Sequence, residues 1–197
     1  MRYLTNLTRV FLKKNYCKIA KIIIAFFNTS CIIKANRTVL WGSMLVREFN
    51  KSDEEPFLEM CKDFYEAEVT LRSYDEVIAQ KTFRRVIDKH ENLWGYMLID
   101  KSDDDFLGYA LLTSYWSNEE GGEVIVLDEL FVCPLGRSKG YGKRFMLWME
   151  ENFTDAVAIT LEVLTSNHRA QELYYKAGYM PDGFTTYTKS LKKMTAL

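Results

Sequence analysis

The chain has 197 residues, 48% hydrophobic and 27% charged, which is typical of one domain with a large buried core. Its net charge of −1 argues against a nucleic-acid binder that relies on overall basicity, and ten glycines with three prolines exclude a collagen-like or low-complexity chain. The four cysteines form no CxxC pair and only two histidines are present, so we expect no metal site, no disulfide framework and a cytoplasmic location.

The beginning of the chain differs in charge from the rest. Residues 1–43 contain eight lysines or arginines and no acidic residue, whereas residues 44–197 hold 18 basic and 27 acidic residues. The apolar run over 22–27 is much shorter than the roughly 18 residues that indicate a membrane-spanning helix, and no clear cleavage site follows it. We interpret residues 1–43 as a basic leader outside the functional product. The alternative is a signal peptide or an anchor.

The first half of the remaining chain shows two helical and three strand patterns. Ser52 with Glu55 fits a capping box, and Pro56 suits the first turn of a helix. Apolar residues then recur at helical spacing through Tyr65. The pattern predicts a strand over 45–49, a helix from Ser52, a second helix over 74–89, and two strands over 93–99 and 106–116.

The second half continues the alternation of strands and helices. A long strand is predicted over 123–133 and ends at Pro134, which has no backbone donor. A glycine-containing loop and an amphipathic helix follow, then a strand over 156–164. Asn167 is the expected N-cap of a helix over 168–177, and a last strand is predicted over 184–191. This order predicts an α/β sheet with helices on its faces.

The segment Arg137-x-x-Gly140-x-Gly142 lies between a predicted strand and a predicted helix. Glycine lets the backbone turn tightly and approach a ligand closely. The free amides of a helix's first turn favour an anion, so this segment predicts an anion site. The alternative is an ordinary glycine-containing loop. A Rossmann fingerprint would need a third glycine, and a Walker A loop would need Gly-Lys-Ser/Thr.

Two motifs together resemble those of a known superfamily. Leu127 to Pro134 followed by Arg137 to Gly142 resembles the acetyl-CoA signature of the GNAT superfamily, (R/Q)-x-x-G-x-(G/A). Asn167-x-x-Ala170-x-x-Leu173-Tyr174, with Gly178 and Tyr179 behind it, resembles the second signature. The resemblance covers about residues 44–191. Within the superfamily, the chain resembles bacterial small-molecule N-acetyltransferases. It implies a mixed, mostly antiparallel sheet with helices on both faces, splayed around an acyl-CoA site.

The resemblance also implies residues that bind acetyl-CoA as co-substrate. The backbone at Phe131 and Val132 would pair with the pantetheine arm, and Asn167 would contact that arm. The loop amides would hold the pyrophosphate; these belong to Arg137, Ser138, Lys139, Gly140, Tyr141 and Gly142.

Acyl transfer from a thioester to an amine requires a deprotonated amine, a stabilised oxyanion and a protonated leaving thiolate. The Val132 amide is the candidate hydrogen-bond donor that stabilises the oxyanion. Tyr174 matches the tyrosine that protonates the thiolate in the superfamily, although a core tyrosine is the alternative. Glu129, directly or through a water, is the candidate base. Alternatively, Glu129 only orients the acceptor, and a chain of waters serves as the base. Cys133 is interpreted as strand packing and His168 as a first-turn helix residue.

These residues predict acetyl transfer to a primary amine by direct attack. The alternative is a non-catalytic acyl-CoA-binding or regulatory module on the same fold. Residues 44–120 hold 18 acidic and 9 basic residues, whereas residues 121–197 hold nine of each. The superfamily's acceptor surface lies mainly in the first of these segments, so we expect a small cationic acceptor. The alternative is that these acidic residues only keep the surface soluble. We expect neither nucleic acid nor membrane as a partner, and a homodimer is compatible with the sequence.

Overall fold

The computed structural model describes residues 44–67 and 70–191. In chain order the strands are β1 (Met44–Glu48), β2 (Leu93–Asp100), β3 (Phe106–Ser117), β4 (Gly122–Val132) and β5 (Ala158–Leu161). The helices are α1 (Glu54–Glu66), α2 (Glu76–Ile87), α3 (Tyr141–Asn152) and α4 (His168–Lys176). The leader over residues 1–43 lies outside the described residues.

A buried carboxylate organises the start of α1. Asp53 is 1% exposed, and its two oxygens accept hydrogen bonds of 2.6 and 2.8 Å from the Arg47 guanidinium. Asp53 also accepts from the amide of Asn50, whose side chain caps the short 3₁₀ turn that leads into α1. The capping box therefore uses Asn50 and Asp53, and the predicted box on Ser52 and Glu55 is wrong. The reason is that the arginine on β1 fixes Asp53 from outside the local sequence.

The five strands form one sheet in the order β1-β2-β3-β4-β5. Neighbouring strands are antiparallel except for β4 and β5, which are parallel. On one face, Phe57 of α1 and Phe83 of α2 pack on sheet residues such as Tyr109. On the other face, Phe145 of α3 and α4 residues such as Leu173 pack against the sheet. The predicted mixed, mostly antiparallel sheet with helices on both faces is confirmed.

The pairing of β4 with β5 is short, and β4 is irregular where that pairing stops. Val124 to Leu127 pair with Ala158 to Leu161, and no pair follows Leu127. On the other side of β4, Leu111 of β3 pairs with Glu129 while Leu112 pairs with Leu127, so Asp128 is an extra residue in the ladder. A β-bulge of this kind bends the strand that carries it. The two strands therefore diverge from Asp128 onward.

The predicted last strand over 184–191 is wrong, because these residues have no regular secondary structure. Phe184, Tyr187 and Leu191 are 78, 92 and 90% exposed. They are spaced by three and four residues, whereas a strand turns every second side chain to the same face, so no face of a strand would bury all three. Within the described residues, no helix has the length and apolar character needed to cross a membrane.

Candidate active site

A cleft of about 400 Å³ opens where β4 and β5 diverge; we call it the β4–β5 cleft. Phe131 and Val132 line it from β4, and Asn167 and Tyr174 line it from α4. The loop before α3 contributes Arg137, Ser138, Gly140, Tyr141 and Gly142. The structure thus brings together nearly all of the predicted cofactor-binding residues and the predicted general acid. Lys139 lies in the same loop but is not among the residues that line the cleft.

The N-terminus of α3 borders the β4–β5 cleft. Gly140 is the N-cap, with φ of 82°, a conformation that glycine adopts without strain. It has no side chain to accept hydrogen bonds from the first turn, so those amides keep their capacity to bind an anion. A Cβ on Gly142 would lie 3.1 Å from Cδ2 of Leu173, which shows how closely α3 and α4 approach here.

Three cationic side chains line the loop end of the cleft: Arg137, Lys143 and Arg169. Arg137 Nε donates to the carbonyl oxygen of Val132 at 3.1 Å, and Arg169 Nη2 donates to Ser138 Oγ at 3.3 Å. Sequence reasoning missed Arg169, because it is 31 residues from the loop that it contacts. Positive charge and free amides make this end of the cleft suitable for a pyrophosphate.

The free edge of β4 carries the Val132 amide. The Cys133 amide donates to the Leu107 carbonyl of β3 at 2.8 Å, so Cys133 hydrogen-bonds toward β3. Because successive residues of a strand turn their backbone groups to opposite edges, the Val132 amide is directed toward the β4–β5 cleft. Its carbonyl oxygen, which accepts from Arg137, lies on the same edge. The Val132 N–H therefore remains available to a ligand.

The predicted residues of α4 occupy different environments. Tyr174 is partly buried and lines the cleft, and burial raises the pKa of its phenol. Tyr175, the next residue, is 66% exposed. Asn167 lines the cleft and caps α4, with Oδ1 accepting from the Ala170 amide at 3.2 Å. A protonated phenol and a polar side chain thus face the same space from one helix.

Glu129 lies on the α1–α2 side of the sheet. Its Oε1 accepts from the Tyr65 hydroxyl at 2.8 Å and its Oε2 from the Tyr109 hydroxyl at 2.7 Å. Burial raises the pKa of Glu129, and these two hydrogen bonds act against that rise. Glu129 lines a small pocket of about 60 Å³ with Tyr65 and Cys61, and it is not among the residues that line the β4–β5 cleft.

Two carboxylates that the sequence analysis did not assign line the cleft where the strands diverge: Asp128 and Glu162. Burial raises the pKa of Asp128, and the charge of Glu162 raises it further. Glu129, three residues before Val132, falls on the opposite face of β4 from Val132. Asp128 is the extra residue of the bulge, where alternation no longer fixes the direction of the side chain.

Cys133 and His168 occupy positions that fit their structural interpretations. Cys133 is a buried free cysteine whose Sγ lies 3.9 Å from Met60 Sδ. His168 is exposed at the first position of α4. Across the part of the chain that the structure describes, no cluster of three or more metal-ligating side chains is found.

Comparison with known sequences places this architecture among acetyltransferases. The sequence model of the Acetyltransferase (GNAT) family matches residues 54–179, more than half of the chain. The D-amino-acid N-acetyltransferase HPA3 of Saccharomyces cerevisiae is 27% identical over 141 residues, which cover 71% of this chain and 86% of that protein. The uncharacterized N-acetyltransferase YhfO of Bacillus subtilis is 27% identical over 150 residues, covering 73 and 95%.

Solved structures share the fold at low sequence identity. A possible acetyltransferase from Clostridium difficile superimposes with a TM-score of 0.67 at 14% identity, covering 77% of this chain and 100% of that one. The aminoglycoside N-acetyltransferase AAC(6')-Iy, in complex with CoA, gives a TM-score of 0.64 at 16% identity, with coverage of 79 and 100%. At these identities the likeness concerns the fold.

Proposed function

Because the chain belongs to the GNAT acetyltransferase family and is an acetyl-CoA-dependent acyltransferase, we propose that it acetylates the primary amine of a small, cationic acceptor by direct attack. The observation that carries this proposal is the polarity of the β4–β5 cleft. Cationic side chains and free helix amides line it at the loop before α3, and the carboxylates of Asp128 and Glu162 line it where β4 and β5 diverge. The cationic side chains suit an anionic cofactor, and the carboxylates suit a cationic acceptor.

In this proposal acetyl-CoA lies along the free edge of β4. The amides of Ser138, Gly140, Tyr141 and Gly142 hold the pyrophosphate at the N-terminus of α3. The other two predicted amides, those of Arg137 and Lys139, donate within the loop to the carbonyl oxygens of Pro134 and Gly136. The Val132 backbone pairs with the pantetheine arm, which passes Asn167. By the same alternation that frees Val132, the backbone of Phe131 faces β3, so the predicted pairing at Phe131 is not part of this proposal. The unused edge of β4 beyond Leu127 supports this placement, because an extended arm can add to it as a strand would.

The chemical step then needs three groups. The Val132 amide stabilises the oxyanion; one such donor is worth about a hundredfold or more in rate. Tyr174 protonates the thiolate as the carbon–sulfur bond breaks. The base that the sequence predicts is Glu129, directly or through a water. With both oxygens already accepting from tyrosines, Glu129 would reach the amine through such a water.

The charge around α1 and α2 supports a cationic acceptor. A surface groove between these helices contains Glu54, Glu55, Glu59 and Glu76, against Lys51 and Lys62. Burial raises the pKa of Glu59, and the charges of Glu55 and Asp63 raise it further, as expected where negative charge is concentrated. Two of the similar proteins are named as N-acetyltransferases of D-amino acids and of aminoglycosides. Both names are consistent with a small-molecule amine as the acceptor.

The test measures CoA release with matched cationic and neutral amines over a series of salt concentrations. We expect a lower KM for the cationic amine at low salt, and we expect this advantage to shrink as salt rises, because exposed charges are screened beyond roughly 10 Å at 0.1 M. Equal KM values at low salt would contradict the cationic acceptor. Binding of acetyl-CoA without turnover of any amine would favour the non-catalytic module. The cytoplasmic location and the homodimer stay predictions.

A further inference from the structure

The last turn of α1 borders two spaces at once. Phe64 and Ala67 line the β4–β5 cleft. Tyr65, which lies between them in the sequence, lines the small pocket of about 60 Å³ together with Glu129. The Tyr65 ring makes edge-to-face contacts with Phe64 and Tyr74, at centroid distances of 5.5 and 6.4 Å. These contacts fix the direction of the Tyr65 side chain where the two spaces meet.

The two tyrosines that donate to Glu129 differ in their access to solvent. Tyr109 on β3 is completely buried, at 0% exposure, whereas Tyr65 is partly buried. Burial and the charge of Glu129 raise the pKa of the Tyr65 phenol, and the charge of Asp128, which lines the cleft, raises it further. The effect of Asp128 shows that the Tyr65 hydroxyl lies close to a carboxylate of the cleft. Of the two hydroxyls, the one of Tyr65 is therefore the one that a group in the cleft can approach.

The hydrogen bond between Tyr65 and Glu129 has a direction that suits proton transfer out of the cleft. A tyrosine hydroxyl has one proton to donate and an oxygen that also accepts. Tyr65 donates its proton to Oε1 of Glu129 at 2.8 Å, which leaves the lone pairs of its oxygen for another donor. Glu129 is not among the residues that line the cleft. A proton that leaves an amine in the cleft therefore meets the Tyr65 oxygen before it meets the carboxylate.

We propose that Tyr65 is the proton relay between the acceptor amine and Glu129. The Tyr65 oxygen takes a proton from the amine through one water, while its own proton moves to Oε1 of Glu129. The hydroxyl stays neutral throughout, so the raised pKa of the phenol does not oppose the transfer. This inference rests on the proposed function and deepens it, because it gives a route to the base for a carboxylate that lies outside the cleft.

The proton balance of the reaction closes with this relay. The acceptor enters as an ammonium ion, and one proton passes through Tyr65 to Glu129. The neutral amine then attacks the thioester carbonyl carbon, a carbon–nitrogen bond forms and the carbon–sulfur bond breaks. The thiolate takes a proton from Tyr174, which regains one from the nitrogen through water. Glu129 releases its proton through the small pocket, which is large enough for water and has the exposed Asp75 at its rim. The products are the acetamide, CoA and one proton.

Several titratable groups determine the pH at which Glu129 is ionised and can receive the proton. Burial raises its pKa, the hydrogen bonds from Tyr109 and Tyr65 lower it, and the charge of Asp128 raises it. The titratable groups around Glu129 are Tyr65 and Cys61 on α1, Asp75 at the start of α2, Tyr109 on β3 and Asp128 on β4. Loss of either tyrosine hydroxyl removes a hydrogen bond that lowers the pKa of Glu129. Both losses should therefore move the acidic limb of the activity profile to higher pH.

The variants Tyr65→Phe and Tyr109→Phe are a matched pair, because each removes one hydroxyl from Glu129 and keeps the ring. The test compares their kcat against pH with that of the wild-type chain, at saturating amine and acetyl-CoA. We expect both variants to move the acidic limb to higher pH. Tyr65→Phe should also lower the kcat plateau above that limb by about a hundredfold, because it breaks the relay. Tyr109→Phe should lower the plateau much less.

The pKa of the acceptor amine separates a relay from a structural support. An amine of low pKa is already neutral at the assay pH, so it needs no relay before it attacks. The loss caused by Tyr65→Phe should therefore shrink along a series of amines of falling pKa, whereas a structural defect would lower the rate for all of them. A double variant of Tyr65→Phe with Glu129→Gln should lose no more activity than Glu129→Gln alone, because both groups act on one proton.

Thermal melts with acetyl-CoA show whether each variant is folded and binds the cofactor. Equal plateau losses in Tyr65→Phe and Tyr109→Phe, a loss that does not depend on the amine pKa, or an additive loss in the double variant would each overturn the relay and leave the proposed function standing. A wild-type chain that turns over no amine overturns both.

Discussion

At the scale of single residues, Tyr174 and Tyr175 are adjacent tyrosines with opposite environments. Tyr174 lines the β4–β5 cleft and burial raises its pKa, whereas Tyr175 is 66% exposed. Because residues adjacent in a helix differ in direction by about 100°, only one of the two can face the cofactor. The pair therefore offers a built-in control for the role of the general acid.

We expect Tyr174→Phe to lower kcat by about a hundredfold or more with little change in acetyl-CoA affinity, because the phenyl ring keeps the packing and loses the proton. Since burial raises the pKa of this phenol, the wild-type enzyme should keep its activity up to a pH above the ordinary tyrosine value of about 10. Steady-state kinetics and a thermal shift with acetyl-CoA measure both quantities. Tyr175→Phe is the control, and an equal loss in both variants would return Tyr174 to a packing role.

At the scale of elements, the prediction that the protein binds acetyl-CoA rests on the loop between β4 and α3. Gly140 has a φ of 82° and open space around its Cα. Gly121, at the turn between β3 and β4, has a φ of 70° and equally open surroundings. A side chain at either site costs similar backbone strain, about 1–2 kcal/mol. Only Gly140 borders the cleft, so the two glycines separate strain from ligand binding.

We expect Gly140→Glu to abolish the stabilisation that acetyl-CoA gives the protein against heat, because a carboxylate at the α3 N-terminus would take the place of the pyrophosphate and repel it. Gly121→Glu should lower the melting temperature of the free protein by a similar amount and keep the shift with acetyl-CoA. Differential scanning fluorimetry reports both. A full shift in Gly140→Glu would remove the loop from the cofactor site.

At the scale of the whole molecule, the described residues form the sheet, both helical layers and the β4–β5 cleft, and the first of these residues is Met44. The matched family region starts at residue 54. Strand β1 pairs with β2 over its five residues and carries Arg47, the partner of the buried Asp53. From these contacts we predict that the domain tolerates truncation up to Met44 and does not tolerate the loss of β1.

We expect a chain starting at Met44 to fold cooperatively and to show the same acetyl-CoA shift as the full chain. A chain starting at Asn50 should lose stability, because it lacks the edge strand and leaves Asp53 buried without its guanidinium. Thermal melts monitored by circular dichroism compare the three proteins. Unfolding of the chain that starts at Met44 would show that residues 1–43 contribute to the domain.

The sequence by itself determined the features that depend on neighbouring residues. Gly140 at a positive φ and Asn167 as an N-cap are local requirements, since the backbone angle or the capped amide lies within a few residues. The long strand over 123–133 and the helix after Asn167 follow from apolar spacing over one element. Most of the residues that line the β4–β5 cleft at the loop before α3 were predictable for this reason.

Only the tertiary structure decided which carboxylate lines the β4–β5 cleft. Alternation separates Asp128 from Glu129, but the cleft side is fixed by where β5 stops pairing and by a bulge that arises only against β3. Arg169 reaches Ser138 across 31 residues, and the Tyr65 hydroxyl reaches Glu129 across 64. Such contacts depend on the packing of whole layers, so no local pattern encodes them. The segment 184–191 does not form a strand for the same reason. A segment with β propensity becomes a strand only where it can pair with a sheet edge and bury one of its faces.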